Sequence, residues 1–358
     1  MNRYIIKNNK KSKYYCIFNK KNGFMMRNGY DGIDPFMRLE GPELLDISIT
    51  NYCENNCDFC YRKSNVNGKH MSIENYKNII KQASDLGVMQ VALGGGNPNQ
   101  HPDFIELLKI TREFGIIPSY TTNGRGLTEE VLKASQEFCG AVAVSLYEPY
   151  TESFKAIRKL INNKIKTNIH FILNSKTIDK AIKILDELPQ EIEGINAIIF
   201  LNYKPQKEYD IYNLKNTEKL SNFFHRINHK PLPFKVGFDS CTISFLVKEI
   251  NDLNVESVDF CEAGRFSAFI SEEMKMYPCS FMINKIKGED LNKRNIEDVW
   301  KDGKEFRVIR EKINNNNCNK CNYFNVCHGG CRIFDINAKE CIPWYIKINV
   351  NKTKKVRK

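Results

Sequence analysis

Between residues 44 and 240 short apolar runs alternate with longer amphipathic stretches, and this alternation constrains the fold more than anything else in the chain. The runs are "LLDISIT" (44–50), "MQVALGG" (89–95), "IIPSYTTN" (116–123), "GAVAVSLYE" (140–148), "KTNIHFILN" (166–174), "INAIIFLNY" (195–203) and "FKVGFDS" (234–240). The segments between them, 72–87, 101–115, 128–138, 151–164, 177–191 and 217–230, carry helical spacing. Apolar strands separated by helices imply βα units on a parallel sheet. Seven such strands fit a partial or full (β/α) TIM-type barrel. The first strand is not followed by the glycine fingerprint of a dinucleotide-binding fold, which counts against that alternative.

Residues 1–40 read instead as a β-rich segment, with strands "RYIIK", "KYYCIFN" and "GFMMRN" and a hairpin turn at "NKKNG". From about 242 the rhythm breaks, and residues 261–341 hold seven cysteines among short elements. The expected division is therefore 1–40, a barrel over 41–241, a cysteine-rich module over 242–345 and a basic tail over 346–358. Net charge is +12, from 54 Lys+Arg against 42 Asp+Glu. A surplus of this kind is usually a solvated surface, and no contact with DNA is expected from it. The N-terminus lacks the apolar core of a secretory signal, and no window approaches the roughly 18 apolar residues of a membrane span. The reading is cytoplasmic, where clustered thiols stay reduced and bind metal or do chemistry.

The first barrel strand runs into "NYCENNCDFCYRKS", which places Cys53, Cys57 and Cys60 at the C-terminal end of a strand, where such barrels carry their sites. A closed zinc site needs four ligands, and the nearest candidate fourth, His70, is ten residues beyond the last thiol. A [4Fe–4S] cube can be held by three thiolates with one iron left open. The spacing CX3CX2C, with Phe59 before the third cysteine, resembles the signature of the radical S-adenosylmethionine (SAM) enzymes. The resemblance implies that the open iron chelates SAM, and that SAM is cleaved to a 5′-deoxyadenosyl radical which abstracts hydrogen from a substrate. It also implies that Gly95, Gly96 and Asn97 of "LGGGNP" meet SAM, with Asn97 standing where the family usually has Glu. Ser145 resembles the position that contacts the SAM ribose or carboxylate, and Asn123 and Asn174 lie at comparable strand ends.

The C-terminal cysteines, Cys261, Cys279, then "CNKCNYFNVCHGGC" and Cys341, resemble the SPASM extension of radical SAM enzymes that modify peptides and proteins. Met274 stands where that motif usually has Gly. By this resemblance Cys318, Cys321, Cys327 and Cys341 hold an outer auxiliary cluster, and Cys261, Cys279 and Cys331 an inner one. That makes three [4Fe–4S] clusters. Two fully ligated auxiliary clusters need eight thiolates and the motif supplies seven. Cys241 is either the eighth ligand, or the inner cluster keeps an open iron; Cys16 and Cys139 read as small buried hydrophobes.

The resemblance implies a peptide (RiPP) maturase that installs a thioether or carbon–carbon crosslink, or another oxidation, on a ribosomally made peptide carrying a leader. Reduction would come from an external donor of flavodoxin or ferredoxin type. An anaerobic sulfatase maturase, acting on a Cys or Ser of a protein, is the alternative within the superfamily. Such enzymes carry Asp directly after the second SPASM cysteine, where this chain has Ser280, a poor general base without an activating partner. A zinc-ribbon nucleic-acid-binding protein is the alternative from another class. The N-terminal strands would either add a leader peptide as a strand or cover the bottom of the barrel.

Overall fold

The computed structural model describes residues 3–331 except 22, 34, 206–210, 213, 215–217, 251–252, 255–256, 315–317 and 319–320. Cys341 and the basic tail lie outside the described residues. Three N-terminal strands, β1 (Tyr4–Asn9), β2 (Tyr14–Asn19) and β3 (Met25–Gly29), form an antiparallel sheet. The βα repeat then follows in the expected order. It runs β4 (Leu44–Thr50), α1 (Ile73–Asp85), β5 (Gln90–Gly95), α2 (Phe104–Glu113), β6 (Ile117–Thr122), α3 (Glu129–Phe138), β7 (Val142–Ser145) and α4 (Thr151–Asn162). It continues with β8 (Thr167–Leu173), α5 (Ile178–Glu187), β9 (Ala197–Asn202), α6 (Glu218–His229) and β10 (Lys235–Phe238). After α7 (Ile243–Glu249) come β11 (Ser267–Ile270), β12 (Lys275–Tyr277), β13 (Glu289–Asp290), α8 (Ile296–Asp302), α9 (Lys304–Asn314) and α10 (Phe324–Cys327).

Contacts divide the chain into two compact units, one holding residues up to 170 with 189–198 and 263–307, the other 171–188, 199–262 and the chain from 308. In the first unit the strands lie in the order β8-β7-β6-β5-β4-β11-β12-β13. β4 to β8 are parallel, as the apolar runs predict, and they are the strands of an incomplete (β/α) barrel. The sequence boundary at 242 is not a boundary of packing. β11 pairs parallel with β4, from Leu44 against Ser267 to Ile47 against Ile270, so the start of the cysteine-rich module extends the barrel sheet. In the second unit the end of β8, then β9 and β10, lie side by side. An aromatic core packs on them, with Phe200 4.8 Å from Phe223 and Phe238 5.6 Å from Phe224.

Local chemistry explains the helix starts. Ser72 and Thr128 accept the backbone N–H groups of Asn75 and Val131, so each hydroxyl satisfies a donor that the first turn leaves open. The N-terminal sheet sits where the barrel strands begin. Tyr14 donates to Glu43, just before β4, at 2.5 Å, and Arg27 pairs with the same carboxylate at 2.7 Å. Phe18 and Gly23 border a cavity of about 280 Å³ that is also lined by Ala92, Thr121, Ala143 and His170. The sheet thus covers the bottom of the barrel, one of its two expected roles. Cys16 is fully buried on it, and burial pushes its thiol up to about 12. Cys139 is half-buried at the end of α3, with its thiol also raised to about 12 by burial.

The turn between β11 and β12 accommodates Met274 in the conformation a glycine would take. Its φ is +59°, its N–H donates to Ser271, and its side chain is buried. Left-handed backbone costs a side-chain-bearing residue about 1–2 kcal/mol, whereas removing a buried methionine side chain costs about 2–5 kcal/mol. Burial wins, so Met274→Gly is expected to lower the thermal unfolding midpoint although it relieves the backbone. A raised midpoint would show that strain dominates.

Candidate active site

The cysteine loop is pinned at both ends by backbone. Cys53 N–H donates to Asn65 at 3.0 Å, Cys60 N–H to Cys57 at 3.0 Å and Lys63 N–H to Cys60 at 3.1 Å. Burial, followed by the neighbouring Cys60 and Cys53, pushes the Cys57 thiol up to about 11. Within this loop the buried Oδ1 of Asn55 has no hydrogen-bond partner among the described residues. Three half-buried thiols on one short loop at a strand end fit a group held by three thiolates. Among the described residues no three His, Cys, Asp or Glu side chains meet as they would around a single ion. His70 does not reach into this set: its Nδ1 lies 2.8 Å from Thr50 Oγ1 and its ring packs on Tyr52 and His101.

The ends of the next strands converge on the loop. Gly96 and Asn97 donate their N–H groups to Thr50 and Tyr52 at 2.7 and 2.8 Å. A Cβ on Gly95 would lie 2.0 Å from Thr50 O, and one on Gly96 1.9 Å from Tyr52 O. Only glycine permits this approach, and at Gly95 the φ of +115° demands it as well. Asn97 is fully buried and its amide is consumed within the protein. Its Nδ2 donates to Gln100 and Arg125, each at 3.0 Å, and its Oδ1 accepts from Thr122 Oγ1 at 3.0 Å and Asn123 N–H at 3.1 Å. Its side chain is a brace between strand ends. The amide of Asn123, which that brace holds, lies 3.6 Å from Cys53 Sγ. Ser145 is buried at the end of β7 beside Tyr147, and Tyr147 packs edge-on against Phe59 at 5.1 Å. Asn174 serves its own turn, accepting from the N–H groups of Lys176 and Thr177.

Several site residues escaped the sequence reading. Gly94 is one: nothing lies within 4 Å of a Cβ built there, so it opens room at the strand end. Arg62 is another. It is buried and paired with Glu272 at 2.5 Å, and Ser48 Oγ donates to the same carboxylate at 2.7 Å. Tyr61, next to Cys60, stacks on Phe281 at 4.2 Å, and its backbone oxygen accepts from Asn284 at 2.7 Å. The Ser280 hydroxyl neighbours the Tyr61 phenol, which burial pushes up to about 12 against the lowering effect of that neighbour. The segment carrying Cys279 therefore lies directly on the first cysteine loop. In the second unit, burial pulls Lys204 down, but Asp239, with the neighbouring Cys241 and Cys331, outweighs it and holds it above the ordinary lysine value.

Comparison with known proteins accounts for both cysteine groups. The radical SAM superfamily model matches residues 47–214, and that of the SPASM iron–sulfur cluster-binding domain matches 261–322. The chain carries a radical SAM domain followed by a SPASM domain. The zinc-ribbon reading falls, because the paired C-terminal cysteines begin within an iron–sulfur domain. Among its relatives, mycofactocin maturase MftC of Mycobacterium tuberculosis is 22% identical over 330 residues, 84% of this chain and 81% of MftC. SuiB of Streptococcus suis bound to S-adenosylmethionine superposes with a TM-score of 0.72 at 16% identity, covering 93% of this chain and 95% of SuiB. anSMEcpe with bound AdoMet and a peptide superposes at 0.63 and 18% identity, over 88% of this chain and all 100% of the other. The cofactors of this radical SAM–SPASM enzyme are SAM and iron–sulfur clusters. No helix among the described residues is long and apolar enough to cross a membrane.

The two glycines separate packing from binding. Gly94→Val is expected to leave the unfolding midpoint in place yet weaken SAM binding about tenfold, about 1.4 kcal/mol, in equilibrium dialysis. Gly96→Ala, which collides with backbone, is expected to lose folded protein. Unchanged SAM affinity in Gly94→Val would place the cofactor elsewhere. The buried ion pair gives a second test. Arg62→Met leaves Glu272 unpaired and is expected to cost about 3–5 kcal/mol in chemical denaturation, whereas Arg62→Met/Glu272→Leu regains most of it.

Proposed function

We propose that this enzyme is a peptide maturase acting on a ribosomally made precursor. Cys53, Cys57 and Cys60 hold the SAM-binding cluster, Gly95, Gly96, Ser145 and Phe59 frame SAM, and the SPASM cysteines, Cys261, Cys279, Cys318, Cys321, Cys327, Cys331 and Cys341, hold two auxiliary clusters. When bound, the reduced cluster supplies an electron that cleaves SAM to a 5′-deoxyadenosyl radical able to abstract a hydrogen atom from a substrate carbon.

The observation that carries the reading is the seating of the Cys279 segment on the SAM-cluster loop through Tyr61. A crosslink removes two hydrogens from the peptide. One leaves as the atom abstracted, and the other must leave as a proton and an electron. Cys279, whose segment packs on the first cysteine loop, would help to hold a group able to take up that electron. The proton acceptor is the part that separates this chain from the sulfatase maturases. Ser280 offers a hydroxyl, and the neighbouring Tyr61 phenol, raised by burial to about 12, is protonated near neutral pH like an ordinary tyrosine. MftC is named a mycofactocin maturase, and SuiB has been crystallised with its precursor peptide SuiA, covering 82% of this chain at a TM-score of 0.66. Both support a peptide as the substrate class. Electrons for SAM cleavage come from an external flavodoxin- or ferredoxin-type donor.

Anaerobic reconstitution followed by iron and sulfide analysis tests the cluster count. About twelve irons per chain are expected, falling to about eight in Cys53→Ala/Cys57→Ala/Cys60→Ala. With dithionite and SAM, a peptide encoded beside the gene should lose the mass of two hydrogens per crosslink as 5′-deoxyadenosine accumulates. 5′-Deoxyadenosine without any peptide mass change, but with formylglycine appearing on a protein Cys or Ser, would move the assignment to the sulfatase-type reading.

A further inference from the structure

Towards the N-terminal ends of its strands, the barrel of the first unit holds the cavity of about 280 Å³ that the N-terminal sheet borders. Gln90 and Ile117 begin β5 and β6, and Lys166 precedes β8, so this end lies away from the cysteine loop that follows β4. A strand buried in a parallel sheet normally reads as an unbroken apolar run, because both of its faces are covered. β8 does not. In "KTNIHFIL", residues 166–173, Thr167, Ile169, Phe171 and Leu173 are buried, whereas Lys166, Asn168 and His170 are half-buried and line the cavity. Lys20, just past β2, adds a second ammonium from the N-terminal sheet. His170 Nδ1 lies 3.3 Å from Thr121 Oγ1, and Asn196 donates to Asn168 Oδ1 at 2.7 Å.

No Asp or Glu is among the described residues that line the cavity. Asp46, in register with Ala92 on the next strand, stands outside the lining. The sheet that supplies Lys20 has the same bias, with eight Lys and Arg and no Asp or Glu in residues 1–30. Lysines at a surface commonly meet only solvent, and a polar cavity commonly holds water. Neither accounts for the arrangement. Phe18, Ala92 and Ala143 offer water no side-chain hydrogen-bonding group. Positive groups brought together from two separate elements repel unless negative charge lies between them. A carboxylate on a short hydrocarbon stem answers both, because its oxygens accept from the ammonium groups and its stem covers the apolar wall.

We infer that this cavity binds a short-chain carboxylate, whose charged end meets Lys20 and Lys166 and whose stem lies against Phe18, Ala92 and Ala143. The ligand bridges the N-terminal sheet and β8, and so ties the sheet to the barrel. At the upper limit of the cavity His170 is in register with Ser145, which places the ligand below the residues proposed to frame SAM. The inference stands apart from the maturase reading and holds whatever the substrate is.

The test uses the full chain, reconstituted anaerobically, with glutarate as the probe and ionic strength held constant by NaCl so that screening does not vary. Calorimetry should show one saturable site. Thermal unfolding should move upward with glutarate concentration, as binding to the folded state alone requires. Glutaramide has the stem without the charge and inorganic phosphate the charge without the stem; each should bind about tenfold more weakly than glutarate, or less. Lys20→Met/Lys166→Met should weaken glutarate by about tenfold or more, whereas Lys20→Arg/Lys166→Arg, which keeps the charge, should retain it. Where the double Met variant fails to fold, Lys20→Met and Lys166→Met are read singly, each with a weakened site. N-Acetylglutamate amide distinguishes the sources of the carboxylate. Binding weaker than glutarate assigns a free small molecule, and equal or tighter binding assigns an acidic side chain of a peptide. Absence of saturable glutarate binding, or binding that survives the loss of both lysines, overturns the site. Phosphate or glutaramide binding as tightly as glutarate overturns the ligand class.

Discussion

The carbonyl oxygens of Thr50 and Tyr52 stand where the side chains of Gly95 and Gly96 would begin, and the site depends on that approach. Two backbone hydrogen bonds across it tie the exit of β4 to the exit of β5. Each is worth only about 1 kcal/mol, so it is the shape of the contact, more than its strength, that fixes where Cys53 begins. From there order passes through Asn97, whose amide oxygen holds Asn123, whose own amide lies at Cys53 Sγ. A residue that resembles a cofactor ligand at its motif position thus works mainly as a brace. Because both ends of that amide are used inside the fold, its replacement by a carboxylate would put a negative charge where Arg125 O and Gln100 Oε1 already supply acceptors.

How much of this was legible depends on sequence distance. The strand β4 was read to the residue, since an apolar run bounded by turn signals has a short-range cause. Helix starts were close for the same reason, with Ser72 and Thr128 acting on their own first turns. The pairing of β11 with β4 was not legible, because "SAFI" carries no mark of which edge it joins across more than two hundred residues. Arg62 was passed over as one basic residue among many in the loop, and its partner lies 210 residues away. Asn97 illustrates the limit within a motif: the position is recognisable, but three of its four partners come from a separate segment, residues 122–125.

The ion pair of Arg62 and Glu272 is better understood as a register device than as a source of stability. Buried pairs are often replaceable by apolar residues at no net cost. Here Glu272 follows β11 by two residues and meets both Ser48 on β4 and Arg62 past the cysteine loop. That meeting is possible only with β11 aligned on β4 as it is. A slip by one residue turns the side chains of a strand to the other face of its sheet, leaving a buried guanidinium and a buried carboxylate apart. The cost of that error is several kcal/mol, far above the difference between two neighbouring ladder registers.

The same register delivers Tyr61 to Ser280. Once β11 is aligned, the hairpin through β12 carries Cys279 and the following turn back over the SAM-cluster loop, where Phe281 covers the Tyr61 ring and Asn284 holds its backbone. Tyr61 is bonded to Cys60 along the chain, and Ser280 to Cys279. Contact between their side chains therefore closes a short packed route between two cysteines of different groups. A tyrosine phenol is protonated near neutral pH, so this bridge is neutral. A neutral, packed bridge couples the two cysteine groups without adding charge between them, which an acid at position 280 would do.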